Sequence, residues 1–262
     1  GIRLMIRENR SIPIVSIQVS FLGGVRFEEE AQNGISQFMA VMMTKGTRNQ
    51  SSLEVAKKVE RMAGSLNPFS GNNSFGITFT FLNQYFEEAF GLLAEVIRYP
   101  SFEKDEMEKR RRLILAAIRQ QEDDLGRQVF RLFLKTLFEK HPYRMDPLGT
   151  LDTIQRMTQN DLKEHYQRLL APENMVVTVV GDVDEKEVLQ AVQKGFGDLK
   201  KGSFSAPAVP QEPRLAEMRK TEILKPKEQA HFVLGFLGTS FHDQDRYALE
   251  VLGAALSAQG GR

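Results

Sequence analysis

Two stretches of strict alternation constrain the fold most. From Ile14 to Leu22, Val15, Ile17, Val19 and Phe21 fall on one side of an extended chain, with Ser16, Gln18 and Ser20 on the other. Phe75, Ile77, Phe79 and Phe81 repeat the pattern further along. Strand side chains alternate between faces, so both segments predict half-buried β-strands that need a cover on one side only. Met175 to Val180 adds a continuous apolar strand, and long helical segments follow the strands. The fold class is α+β: a mainly antiparallel sheet covered on one face by long helices.

The helices announce themselves by caps and periodicity. Ile35 to Met43 is apolar on several sides, which predicts a buried helix. Ser51 or Ser52 offers an N-cap for Leu53 to Met62, closed by Gly64. A Gly/Asn-rich stretch from Asn67 leads into the Phe75 strand, and Phe86 to Ile97 is amphipathic. Tyr99-Pro100-Ser101 breaks the chain, with Ser101 predicted to cap a charged helix running from Phe102 to about Asp123. A second helix spans Arg127 to Phe138, ahead of His141-Pro142-Tyr143. Thr158 and Asp161 form a near capping box for Leu162 to Leu170, and a further helix runs to about Phe196. Lys200 to Glu217, with Ser203, Ser205, Pro207, Pro210 and Pro213, reads as a linker. Beyond it a strand, Ala230 to Gly238, and a helix from about Asp243 to Ser257 echo the order at the start of the chain. Phe236-Leu237-Gly238 stands where Phe21-Leu22-Gly23 did. The predicted organisation is a first lobe over 1–200, a linker over 201–220 and the beginning of a second, similar lobe over 221–262.

Bulk properties exclude several classes. The formal charge of +1 gives no net field for nucleic acid or a membrane surface. With no cysteine, disulfides, iron–sulfur clusters and thiol catalysis are ruled out, although compartment is left open between cytoplasm and periplasm. No apolar run approaches the roughly 18 residues a membrane helix needs. Arg110-Arg111-Arg112 is interleaved with Glu103, Asp105, Glu106 and Glu108, which reads as a solvated helix face. The alternative is that Arg110 lines a chamber and attracts acidic peptide. The four histidines, His141, His165, His231 and His242, lack the i, i+4 spacing of a helical metal pair and are read as structural or surface residues. Met39, Met42 and Met43 read as helix packing, with an adaptable peptide-contact surface as the alternative.

The segment Gly34-Ile35-Ser36-Gln37-Phe38-Met39-Ala40-Val41-Met42-Met43-Thr44-Lys45-Gly46-Thr47 resembles the zinc motif of the pitrilysin/insulinase metallopeptidases, the inverzincins. Their His-x-x-Glu-His puts two zinc ligands and a general base on one helix. In this frame Gln37 stands for the first His, Ala40 for the Glu and Val41 for the second His. The resemblance places the third ligand, a Glu in the family, at Ala117, and an auxiliary acid seven residues earlier at Arg110. Gly64 to Ser70, Phe138 with His141-Pro142-Tyr143, Gly149, and Asn174 to Val183 match further family marks. The chain's first residues and its last, Gly260-Gly261-Arg262, fall inside family patterns, so it reads as a piece of a longer polypeptide.

The family implies a clamshell of homologous lobes, one half bearing zinc and the other not. With its metal positions replaced, this chain is expected to hold no cofactor and to catalyse nothing by itself, zinc being expected only in a partner half. That partner is the zinc-bearing half of the same polypeptide or a separate subunit, as for the α subunit of mitochondrial processing peptidase. The resemblance makes it a proteolytically inactive half that helps enclose unfolded peptide. Asn67, Phe69, Ser70 and Gly71 are the expected substrate-binding residues, on an edge strand around Asn67 to Gly76 that would pair with peptide main chain. Pro68 would weaken that pairing by one donor. The alternative is a structural subunit like the core proteins of respiratory complexes. Neither nucleic acid nor membrane insertion is expected.

Overall fold

A computed structural model describes residues 1–202, 204–226 and 228–257. The expectations for Gly260-Gly261-Arg262 and for Ser203 in the linker lie outside the described residues. In chain order the regular elements are β1 (Arg3–Glu8), β2 (Ile14–Leu22), α1 (Ile35–Met43), α2 (Ser52–Arg61), β3 (Ser65–Ser70), β4 (Ser74–Leu82), α3 (Phe86–Arg98), α4 (Lys104–Asp123), α5 (Leu125–Leu137), α6 (Leu151–Arg156), α7 (Gln159–Leu169), β5 (Met175–Gly181), α8 (Glu185–Phe196) and α9 (Arg246–Ser257).

The strands form one sheet in the order β1-β5-β2-β4-β3. β1 runs parallel to β5, and the other neighbours are antiparallel. The alternation read in the sequence is realised. Val15, Ile17, Val19 and Phe21 of β2 are buried beside Phe75, Ile77, Phe79 and Phe81 of β4 and Met175, Val177 and Val179 of β5. The opposite face carries Ser16, Gln18, Thr78, Thr80 and Thr178, none of them buried, with Thr80 donating to Ser16 Oγ across the strands at 3.3 Å. Helices cover the apolar face. Phe21 stacks on Phe75 at 5.1 Å, while Phe81, Phe86, Phe90 and Phe196 make successive ring contacts from β4 through α3 to α8.

Local signals explain most helix starts. Ser51 and Thr158 each cap in a reciprocal box, with Glu54 and Asp161. Ser101 does not cap α4. Glu103 occupies that position without a side-chain bond, Phe102 has φ 50, and the Ser101 hydroxyl is buried without a partner. The left-handed turn at Phe102 seats its ring in the core against Tyr166 and carries Ser101 away from the helix start. The short α6, capped by Thr150, was not foreseen.

One expectation for the C-terminal part needs correction, and the linker carries unexpected contacts. Residues 230–238 join no ladder among the described residues, and Phe232, Leu234 and Phe236 are exposed. The described residues of the proline-rich segment 201–220 have no regular secondary structure, yet they are fastened down as a strap. The Gly202 and Phe204 N–H groups donate to Glu173, and Phe204 stacks on Phe27. Glu212 accepts from the backbone of Glu139, Lys140 and His141. Arg219 pairs with Glu139 at 2.7 Å and donates to the last carbonyls of α5. No helix among the described residues is long and apolar enough to cross a membrane.

Asn174 joins three elements at the start of β5. Its amide oxygen accepts from Leu22 N–H at 3.0 Å, while its NH2 donates to the carbonyls of Leu22 and Leu169. The residue is buried, so its removal leaves one donor and two acceptors stranded. Asn174→Ala is expected to cost about 2–3 kcal/mol in urea unfolding, with an unchanged slope. A loss below about 0.5 kcal/mol would show the junction held by packing alone.

Candidate functional site

α1 lies in the middle of the molecule, packed against α4, α7 and β3. Seven of its nine residues are buried; the two that are not are Gln37 and Val41. Residues four apart lie on one helical face, so α1 shows its surroundings a single narrow row. Lys45, four residues further and just past the helix end, is also half-buried and continues that row. Ala40 is buried. Met39, Met42 and Met43 are fully buried too, which settles their role as packing and overturns the peptide-contact alternative.

The neighbouring helix α4 contributes a matching row. Arg110 and Ala117, seven residues or two turns apart, share a face and are both half-buried. The adjacent Arg111 locks α4 in place: its guanidinium lies over the Phe38 ring of α1 at 5.6 Å and donates to the carbonyls of Ile154 and Met157 at the end of α6. The sequence-derived positions Gln37, Val41, Arg110 and Ala117 therefore sit on helices that pack together.

The start of α1 is fixed by groups the sequence did not reveal. Glu28 is buried and accepts from Gly34 N–H at 2.8 Å, Ser36 N–H at 3.0 Å and Asn33 Nδ2 at 2.9 Å. These bonds satisfy otherwise unpaired amides at the helix N-terminus, where a carboxylate is favoured. Burial pushes the Glu28 carboxyl above its ordinary range, opposed by those donors. Gly34 and Gly149 meet here with φ of 93° and 81°, and a Cβ on Gly149 would fall 2.4 Å from the Asn33 carbonyl oxygen. His165 of α7 completes the shell. Its Nδ1 takes a hydrogen bond from Arg168 at 2.9 Å, so Nε2 carries the proton and donates to Ser36 Oγ at 3.0 Å. Ser36 is thus paired with a donor, and the pair does not form a nucleophile and base.

The expected peptide-binding residues divide. Asn67, Phe69 and Ser70 lie on β3, which is the outer strand of the sheet. Pro68 is accommodated there because an edge strand need not satisfy every ladder donor. Gly71 belongs to the turn into β4, where its carbonyl accepts from Val25 N–H, and Ser74 to Gly76 lie in an inner strand. The open edge is therefore shorter than the expected Asn67 to Gly76. Among the described residues there is no group of three or more His, Cys, Asp or Glu side chains arranged to hold a metal ion.

A mixed sheet backed by helices, with α1 packed against α4, is the architecture of a metallopeptidase-type lobe. The chain belongs to the insulinase family, peptidase family M16, whose description matches residues 3–150; the peptidase M16 inactive domain matches residues 156–261. An uncharacterized zinc protease of Streptomyces coelicolor is 27% identical over 98% of this chain and 57% of its own. A non-peptidase homolog of Helicobacter pylori is 28% identical over 74% of this chain and 45% of its own. Bovine cytochrome b-c1 complex subunit 1 is 27% identical over 95% and 52%. The chain thus spans about half the length of these relatives. The crystal structure of a peptidase M16 inactive domain from Pseudomonas fluorescens superposes with a TM-score of 0.76 at 21% identity, over 81% of this chain and 52% of that one.

The His165 network carries a pH signature. Burial, aided by the Arg168 charge, lowers its pKa from 6.5 to about 3. The unfolded chain takes up this proton below about pH 6.5 and the folded chain resists it, so this contribution is complete above pH 6.5 and is lost as pH falls toward 3. Relative to His165→Gln, the stability of the parent protein should fall by up to about 1.4 kcal/mol per pH unit between pH 6 and 4. Parallel stability–pH curves for the two proteins would contradict a buried neutral imidazole.

Proposed function

We propose that this chain is a proteolytically inactive half of an insulinase-family peptidase, contributing peptide enclosure and assembly with a zinc-bearing half. The observation that carries the reading is the open row of α1. The two positions it exposes present a neutral amide, Gln37, and an isopropyl group, Val41. The general-base position is the buried methyl of Ala40, and the packed helix α4 offers the methyl of Ala117. A catalytic Zn2+ takes three nitrogen, sulfur or oxygen ligands and an activated water, and these side chains do not fit it. Peptide would then be held by main-chain pairing along the open edge of β3, using Asn67, Phe69 and Ser70, with Gly71 shaping the turn. The first lobe, strap and second-lobe beginning would divide at about residues 200 and 220.

The second reading is a structural subunit without a proteolytic role. What favours it is the similarity to a non-peptidase homolog and to a respiratory-complex subunit. The two readings part on mixing the chain with a zinc-bearing half. An inactive peptidase half should raise peptide hydrolysis at least tenfold over that half alone, about 1.4 kcal/mol of barrier. A complex that forms without any gain in hydrolysis would favour the scaffold. The combined substitution Gln37→His, Ala40→Glu, Val41→His and Ala117→Glu should confer stoichiometric zinc binding. Failure of the folded variant to take up zinc would mean that these positions do not converge on one ligand site.

A further inference from the structure

We propose that Lys45 and Arg110 form a carboxylate-binding subsite at one end of the groove between α1 and α4, selecting acidic residues or a free C-terminus in a bound peptide. The inference rests on the peptide-enclosing reading and adds a chemical preference to it. Gln37, Val41 and Lys45 follow one another at four-residue intervals as the half-buried row of α1 and its continuation, which places Lys45 about 6 Å along the groove from Val41. Arg110 is half-buried on α4, two turns before Ala117 and close enough to Lys45 for the two charges to act on each other. The groove therefore runs from an uncharged part, Gln37, Val41 and Ala117, to a cationic end.

Neither cation has a bonded partner. Among the described residues, the Lys45 ammonium and the Arg110 guanidinium each make no ion pair, side-chain hydrogen bond or ring contact. Two neighbours on α4, Arg111 and Lys109, contrast with them. Arg111 is bound to Glu108 at 3.0 Å and to three carbonyls, whereas Lys109 occupies the carboxylate of Glu106 at 2.7 Å. Glu106, the carboxylate near Lys45, is thus already engaged by Lys109. Burial, then the neighbouring Arg110, lower the Lys45 pKa, with Glu106 opposing. Two like charges held together in partial burial repel, and an incoming carboxylate relieves that repulsion while gaining a charge-assisted hydrogen bond. An amide or alkyl side chain gains neither. A peptide is favoured over nucleic acid because the rest of the row, Gln37, Val41 and Ala117, carries no charge and α1 also packs on the strand β3, whose outer edge suits an extended main chain.

The test uses fluorescence anisotropy on the whole chain with three unstructured peptides of equal length. One carries an internal Glu and an amidated C-terminus, one carries Gln there and a free C-terminal carboxylate, and one carries Gln and an amidated end. At low salt at least one carboxylate-bearing peptide should bind about fivefold tighter than the neutral peptide, a half-buried pair's worth of affinity. Which of the two gains shows whether an acidic side chain or the terminus is read. The preference should vanish in Arg110→Gln and in Lys45→Gln, each with neutral-peptide affinity retained, and should shrink in high salt. Equal affinities for all three peptides, or a preference surviving both substitutions, would overturn the subsite and leave peptide enclosure standing. Loss of neutral-peptide binding in both variants would also overturn it, since the residues would then be supporting the whole groove. Absence of binding by all three peptides would remove the enclosing reading and the subsite with it.

Discussion

Glu28 accepts the Gly34 and Ser36 amides from a buried position, and the placement of α1 depends on that contact. A helix N-terminus in the interior exposes amides that water cannot reach, so a carboxylate supplied from the preceding loop compensates them. Around this contact the packing closes. Asn33 reaches the Asp146 carbonyl, Thr153 donates to the Asn33 carbonyl, and Arg168 ties the Phe27 carbonyl to α7. Gly34 and Gly149 allow the two backbones to approach closely enough for these bonds to form. The result is a helix with little freedom to rotate, which is why its open face can be assigned to Gln37 and Val41.

Structure and chemistry separate at this face. The fold needs α1 to be apolar on its buried sides, and Phe38, Met39, Met42 and Met43 meet that need whatever stands at 37 and 41. A frame built on core packing tolerates different side chains at half-buried positions, because those positions contribute little to the core. Arg111 shows the same logic on α4. Its contacts to Phe38 and to the α6 carbonyls hold two helices together without reference to a metal. The packing residues of α1 and α4 thus carry the frame that the family match covers.

How much was legible in the sequence varied with the range of the interaction. β2 and β4 could be read from alternation because one face of each is buried and the other is not. The cap at Ser51 or Ser52 and the box at Thr158 are contacts over three residues and were readable for the same local reason, although Glu54 closing a box on Ser51 was not. Ser101 looked equally suitable as a cap, but the core claims Phe102 and the turn it imposes removes Ser101 from the helix. Glu28 was invisible because it sits in a run of three glutamates, which reads as a solvated loop. His165 was equally obscure, since its partner Ser36 lies 129 residues away. The proline-rich strap looked like a free linker, because composition records the absence of regular structure and not the Glu212 and Arg219 contacts that fasten it. At the candidate site, the positions on α1 and α4 came from the spacing of a family frame, whereas the unpaired state of Lys45 and Arg110 needed coordinates.

The central claim concerns donor chemistry in the groove between α1 and α4, and zinc titration of the purified chain addresses it without reference to activity. Calorimetry against a competing chelator, followed by metal analysis of the dialysed protein, should find no tight site and zinc far below one equivalent. One tightly held equivalent, lost on replacing Gln37 but kept on replacing the four histidines, would place a metal in that groove and contradict the account.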